Sequence, residues 1–442
     1  MPQIEHITPN ENLPPHADVV VIGAGIAGIA TALELRERGH SVVVVEKGEV
    51  AAEQSSRNWG WVRQMGRDSR EIPLVLESLK LWHGMNARVH GETGFRQCGI
   101  AYLAETDAQM AEKEKWVREN AVPYGLATKL IGSEEVDKLL PGSMINWKGA
   151  MYTANDCRAE PFLAVPAMAR GLQATGGQIF TQCAARGLET SAGRVSAVVT
   201  ERGVITTDTV VLAAGYWSRR FLFNHSINFP QLGVVNSVMR TTPIDVGHTT
   251  TFSGNTFTAR KRKDGCYTVT HNHFSVADIV PDTLRLFTKF LPIFMLDHKG
   301  LKLRLGQRFV AEARLARRWA LDEVSPFEQV RILDPEPIHW ILDDAEAALK
   351  KAFPAFAPFK SAERWGGVID ATPDAVPVID ALAKIPGLFM ASGFSGHGFG
   401  IGPGAGKLMA QIVTGEAPCV DPTPFKFNRF EDGSRPRPTT GL

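Results

Sequence analysis

Gly23, Gly25 and Gly28 stand where an apolar run from Val19 meets a helical pattern, and their spacing is the first in the chain that points to chemistry. In a strand, tight turn and helix N-terminus, the first glycine permits the turn and the second lets a pyrophosphate approach the backbone. The third lets helix and strand pack closely, while free helix N–H groups face the phosphates. A second apolar run, Val42 to Val45, delivers Glu46, a carboxylate placed to hold the ribose hydroxyls of an adenosine. The chemistry is dinucleotide binding, and the triplet alone leaves a nicotinamide and a flavin both open.

Two further stretches have the composition of contact segments. Between Ala51 and Asp68 no period is visible, and Arg57, Arg63 and Arg67 interleave with Trp59 and Trp61. Arginines beside tryptophans suit a planar anionic ligand better than an open surface. Near the C-terminus, Gly393-Phe-Ser-Gly-His-Gly-Phe-Gly follows a strand and precedes a helix expected from Lys407 to Val413. Such a segment sets backbone N–H groups and a positive dipole end against negative charge. The pyrimidine edge of a reduced flavin supplies that charge.

These stretches need a scaffold, and the intervening pattern supplies one. A second buried strand, Val210 to Leu212, runs into Gly215 and reads as a return to the first sheet. Helical spacing covers Glu71 to Val89 and Pro161 to Thr175, and strands with turn signals from Gln178 to Gly215 read as a β-meander. Asp264-Gly265 marks a hairpin whose basic residues, Arg260 to Lys263, are expected at a solvated tip. The hairpin leads to His271-Asn272-His273, which on a strand puts both histidines on one face, as a polar pocket wall rather than a metal site. Leu284, Phe287, Leu291 and Phe294 share a helical side broken by Pro292, expected to pack in a core or between domains. A pocket lid or a shallow membrane dock is the alternative.

Composition narrows the class. With 48 basic and 47 acidic residues the formal charge is +1, so no global field favours nucleic acid. The five cysteines are scattered and form no CxxC pair, which argues against a disulfide framework and against zinc. Met1 to Pro15 is polar and reads as no signal peptide, and no apolar run reaches the ~18 residues of a membrane span. The expected location is cytoplasmic, with peripheral attachment to a membrane as the alternative.

The glycine triplet, Glu46, Ser55-Ser-Arg-Asn-Trp-Gly, Val210-Val-Leu-Ala-Ala-Gly-Tyr-Trp-Ser, Thr372-Pro-Asp and the Gly393 segment occur in one order from about Asp18 to Thr414. Together they resemble the FAD-dependent D-amino acid oxidase superfamily, nearest to D-amino acid dehydrogenases, glycine oxidases and sarcosine oxidases. The resemblance implies that Gly23, Gly25, Ala27, Gly28, Glu46 and Lys47 hold the ADP half of FAD. Ser55, Ser56, Arg57, Asn58 and Gly60 would run beside the flavin with Ala214, Gly215 and Trp217. Gly396, His397, Gly398, Phe399 and Gly400 would line its pyrimidine end.

Counting from Gly60, Arg63 matches a flavin-side arginine of sarcosine oxidases, and Arg67 lies one residue off their carboxylate-side position. Glycine and D-amino acid oxidases place an arginine in the Gly367-Val-Ile-Asp region, where Ile369 or Asp370 stands here. The histidine and cysteine pattern that links flavin in sarcosine oxidases is absent, so FAD is expected without a covalent bond. Arg63 and Arg67 are the catalytic candidates, with Tyr267, His271 and Asn272 of the inserted sheet behind them.

The expected fold is α/β: a Rossmann-like FAD domain (16–92, 153–233 and 363–425), an inserted antiparallel-sheet substrate domain (93–152 and 234–362) and a tail (426–442). The implied reaction is hydride transfer from an amino acid or secondary amine to flavin, giving an imine that hydrolyses. Oxygen, a quinone or an electron-transfer protein would reoxidise the flavin, and a homo-oligomer is left open. The alternatives are oxidation of a 2-hydroxy acid, or a flavin-bearing subunit of a larger dehydrogenase.

Overall fold

The computed structural model describes residues 3–434 and 437–439. Val19–Ile22 lies within a six-stranded sheet of spatial order Val378–Ala381, Leu388–Ser392, Val210–Leu212, Val19–Ile22, Val42–Val45 and Gln178–Phe180. All neighbours are parallel except the first pair. Unbroken valine runs suit strands covered on both faces. Both Val19–Ile22 and Val42–Val45 are buried throughout.

The glycine turn behaves as its spacing implies. Gly23 has φ +108°, and a Cβ on Gly28 would fall 2.0 Å from the Gly23 carbonyl oxygen, so helix Ile26–Glu37 can start this close only without a side chain there. The C-terminal helix differs from expectation, running from Gly398 to Thr414 and not from Lys407. Its glycines are therefore helical. Gly402 and Gly406, one turn apart, face Ile26 and Ala30, and a Cβ on Gly406 would meet the Ala30 backbone at 2.5 Å. On another side, Ser78 of helix Ile72–Arg88 donates to Gly400 O (2.7 Å) and accepts from Gly404 N (3.1 Å).

A second sheet has ten strands, in the order Leu301–Arg304, Ser275–Asp278, Leu232–Thr241, Tyr267–His271, Phe257–Lys261, Thr251–Ser253, Ile100–Ala104, Gly149–Thr153 and Thr128–Gly132, with Ser361–Ala371 also paired to Leu232–Thr241. Helix His339–Ala352 covers one face through Leu342, Ala345 and Leu349.

Side-chain burial corrects several expectations. Arg260 and Arg262 are buried rather than solvated: successive residues of Phe257–Lys261 are buried, Arg260 pairs with Glu160, and the Arg262 guanidinium lies over the Phe162 ring. On helices Pro281–Arg285 and Phe287–Leu296 the chain carries two apolar stripes. Leu286, Phe290 and Ile293 take the core, so Leu284, Phe287 and Leu291 are left exposed. The stretch from 426 onward is docked as far as Phe430: Phe427 and Phe430 are buried against Phe229, and Arg429 bonds Asp374. Pro436, part of the expected tail, lies outside the described residues.

Candidate active site

A cavity of about 470 Å³ opens at the carboxyl ends of the parallel strands, where Ile22, Val45, Ala213 and Ala391 reach it, and extends to the inner face of the ten-stranded sheet at Asn236, Val238 and Ser275. Crevices at strand carboxyl ends are where open α/β sheets hold ligands.

At the first end the turn is built from local bonds. Ala24 N donates to Glu46 Oε2 and Gly48 N to Glu46 Oε1, each at 2.8 Å, so the carboxylate braces the glycine turn. Each oxygen retains a lone pair, and Gly23, Gly25, Ala27, Glu46 and Lys47 all line the cavity. Burial raises the Glu46 carboxyl above its ordinary range. Ile26 N donates to Ser55 Oγ at 2.9 Å, which ties the second contact segment to the first. Helix Ile26–Glu37 carries no acidic residue in its first turn and its N-cap, Gly25, has no side chain, so apart from the Ser55 contact its positive end is left for a ligand.

In the middle, Ser55, Arg57, Asn58, Ala214, Gly215 and Trp217 line the cavity. Arg57 is buried, with Nε donating to Ala52 O and Nη1 to Gly366 O and to Asp334. Asn58 Nδ2 donates to Gln54 O and Ser55 O, while its Oδ1 accepts from Gly60 N, which shapes the loop. Asp370 lies opposite; its Oδ2 accepts from Gly393 N at 2.8 Å, and burial pushes its carboxyl up to about 6.

At the far end stand Trp59, Trp61, Arg63, Arg67, Tyr102 and His397. The Arg63 guanidinium sits 5.9 Å from the Trp61 ring and 5.7 Å from Tyr102, and Trp59 meets Trp61 edge-on at 5.6 Å. Burial, then the neighbouring Arg63, pull Arg67 down to about 10, so it stays charged at neutral pH. Asp156 anchors this loop, accepting from Gln64 N at 2.7 Å and from Met65 N at 3.4 Å. His397 Nδ1 lies 2.8 Å from Glu71 Oε2, a fully buried carboxylate that the sequence marked only as a helix start.

Five expected residues are not on the cavity wall. Gly28 and Gly60 are packing positions; a Cβ on Gly60 would lie 2.5 Å from Ala159 O. Ser56 turns away and donates to Glu53 O. Tyr267 and His271 belong to the opposite side of strand Tyr267–His271. Tyr267 packs on Phe356 and donates to His248 O, and burial raises its phenol. His271 Nδ1 accepts from His273 N and Phe274 N, and its Nε2 faces Asp344 Oδ2 at 3.2 Å. The strand ends at His271, so His273 does not share its face; Asn272 reaches the cavity instead.

The residues fit a polar ligand of FAD type. Arg57 Nη2, Trp61 Nε1, Arg67 Nη1 and Asp370 Oδ1 are buried atoms without a hydrogen-bond partner among the described residues, and all four side chains line this cavity. Buried polar groups are normally paired, so such a concentration marks a site completed by a ligand. A second uncapped helix start, at Gly398 to Gly400, faces the same space. None of the five cysteines lines it.

Residues 18–412 match the family model described as DAO, FAD dependent oxidoreductase. The chain is 25% identical over 424 residues to sarcosine oxidase subunit beta of Arthrobacter sp, covering 94% of this chain and 91% of that one. It is 24% identical to glycine oxidase of Pseudomonas aeruginosa, covering 92% and 97%. Among solved structures, L-amino acid deaminase from Proteus myxofaciens, in complex with anthranilate, superposes with a TM-score of 0.93 at 34% identity, covering 97% of each chain.

Proposed function

The chain belongs to the DAO family of FAD-dependent oxidoreductases, and from that premise we propose that its cavity oxidises the C–N bond of a carboxylate-bearing amine. Its relatives include amino acid and amine oxidases and a deaminase, and the enzyme class is that of FAD-dependent oxidoreductases acting on CH–NH or CH–NH2 donors. The observation that carries the substrate reading is Arg67, a buried guanidinium with Nη1 unpartnered at the far end of the cavity.

Gly23, Gly25, Ala27 and Glu46 would hold the ADP half, the uncapped start of helix Ile26–Glu37 the pyrophosphate, and the Gly396–Gly400 segment the anionic edge of the ring. When bound, FAD supplies the two-electron acceptor that takes a hydride from the carbon bearing the amine; water hydrolyses the imine. The chain's own work is orientation and electrostatics. Arg67, with Arg63 beside it, clamps the substrate carboxylate and fixes the carbon to be oxidised. Trp59, Trp61 and Tyr102 wall off water and give the substrate's side group an apolar surface. FAD is held without a covalent bond.

Anaerobic mixing with a panel of D-, L- and N-methyl amino acids and 2-hydroxy acids, following loss of flavin colour, tests this. Bleaching by amines supports the reading, and bleaching by hydroxy acids alone rejects it.

A second reading concerns where the electrons go. Leu284, Phe287, Met295, Leu303 and Leu305 are large apolar side chains left exposed on the inserted domain, a composition that suits an interface. We read it as the contact through which a quinone-bearing or protein acceptor reoxidises the flavin, in a cytoplasmic enzyme that can attach peripherally to a membrane. No helix among the described residues is long and apolar enough to cross one. Reoxidation by oxygen alone, or pairing of this face with a second copy of the chain, would overturn it, as read by oxygen consumption and size-exclusion mass.

A further inference from the structure

We propose that His397, backed by Glu71, takes the proton from the substrate's ammonium before the adjoining carbon is oxidised. The inference rests on the amine reading above. A hydride leaves a carbon readily only when the attached nitrogen has a free electron pair, and an amino acid enters at neutral pH as the ammonium. Beside Arg63 and Arg67 a third positive charge is disfavoured, so the proton needs an acceptor within reach.

The other acidic groups on the wall are committed or stand away from its far end, Glu49 accepting from Gln182 Nε2 at 3.0 Å. Glu46 takes two backbone amides, and Glu53 holds Lys47 Nζ and Trp217 Nε1. Asp370 accepts from Gly393 N through Oδ2 and stands in the middle of the cavity, opposite the Arg57 loop, with Oδ1 left for the cofactor, and burial keeps the Tyr102 phenol protonated. His397 is different. Its Nδ1 lies 2.8 Å from Glu71, whose two oxygens are fully buried and have no hydrogen-bond partner. At that distance the pair is an ion-pair contact once the ring is protonated. With Nδ1 committed to Glu71, Nε2 is the nitrogen left for the cavity that His397 lines.

The groups facing His397 are Glu71 at the start of helix Ile72–Arg88 and Arg67 and Arg63 from the preceding loop. Burial and the two arginines favour the neutral ring, while Glu71 favours the imidazolium once formed. In the transfer the ammonium N–H bond breaks, its electron pair stays on the amine nitrogen, and an N–H bond forms at Nε2. One positive charge moves from substrate to imidazole, where Glu71 compensates it.

The test uses holoenzyme carrying His397→Asn or Glu71→Gln, with L- and D-alanine, sarcosine and L-phenylalanine as probes in anaerobic rapid mixing. For a probe that reduces the wild type, flavin reduction at pH 7 is expected to fall about 100-fold in His397→Asn. It should recover toward the wild-type rate by about pH 10, where the amine sheds its proton to water. A second readout needs no turnover: in histidine-labelled holoenzyme, Glu71→Gln should lower the pKa of the His397 ring seen by NMR. An unchanged rate and pH profile in His397→Asn, or an unmoved His397 titration in Glu71→Gln, overturns the dyad. If hydroxy acids alone reduce the wild type, it is the amine reading that fails, and the titration still reports on the pair. Should His397→Asn lose FAD, Glu71→Gln decides.

Discussion

Arg260 grips Glu160 with both arms, Nη1 to Oε1 at 3.0 Å and Nη2 to Oε2 at 3.1 Å, across 100 residues of chain. The pair is buried and joins the ten-stranded sheet to the start of helix Pro161–Ala174. Glu160→Ala would leave Arg260 in the interior without its carboxylate. Loss of one partner of a buried pair costs about 3–5 kcal/mol. Urea unfolding should show a loss of that size, and a loss under about 1 kcal/mol would sink the argument.

Gly406 and Gly84 are both helical, but only Gly406 has a neighbouring backbone where its Cβ would go. Gly406→Ala is expected to destabilise by about 1–3 kcal/mol through overpacking. Gly84→Ala, with nothing within 4 Å, is expected to stabilise by about 0.5–1 kcal/mol. Thermal melts of the two variants should move in opposite directions.

Arg67→Ala should weaken carboxylate-bearing ligands by about 2–5 kcal/mol, because a buried charge partner is lost. Ligands of the same shape with an amide in place of the carboxylate should change little. Spectral titration of the bound flavin separates the two, and equal losses for both would remove Arg67 from the carboxylate site.

Asp156 titrates higher in the folded chain, at about 6 against an ordinary 3.8, chiefly through burial. A carboxyl whose folded pKa is raised contributes stability fully below the unfolded value, and that contribution is lost as pH rises through the folded one. The wild type should therefore lose stability between about pH 4 and 6, on the order of 2–3 kcal/mol from this group. Asp156→Asn keeps an acceptor for Gln64 N and should flatten that slope. Denaturant melts at several pH values check it; parallel curves would refute it.

Acid precipitation of the yellow protein should leave the flavin in the supernatant. No cysteine lines the cavity, and its histidine faces Glu71. A coloured pellet would contradict this.

The parts readable from sequence are those whose job is done by backbone within a few residues. The Gly23 turn, Glu46 and the Gly396 segment each carry their constraint locally, so residue type and spacing suffice. Side-chain direction in the inserted sheet is another matter. Asn272 and His271 are adjacent, and only the end of the strand decides which one meets the cavity. Tyr102, Asn236 and Ser275 are unremarkable in sequence because strand order, set by distant pairings, is what brings them to one wall. Two apolar stripes on 284–296 compete for one core, and spacing cannot say which wins. Glu71 read as a helix start because nothing near it announces His397.

Strand Leu388–Ser392 sits inside the first sheet, between Val210–Leu212 and Val378–Ala381, and the helix after it lies against Ile26 and Ala30. A nascent chain emerging from the ribosome thus exposes its N-terminal nucleotide turn for almost the whole of synthesis without the piece that closes it. A polypeptide cut short before Gly398 would lack that helix, and is expected to emerge colourless, however well its first half is folded.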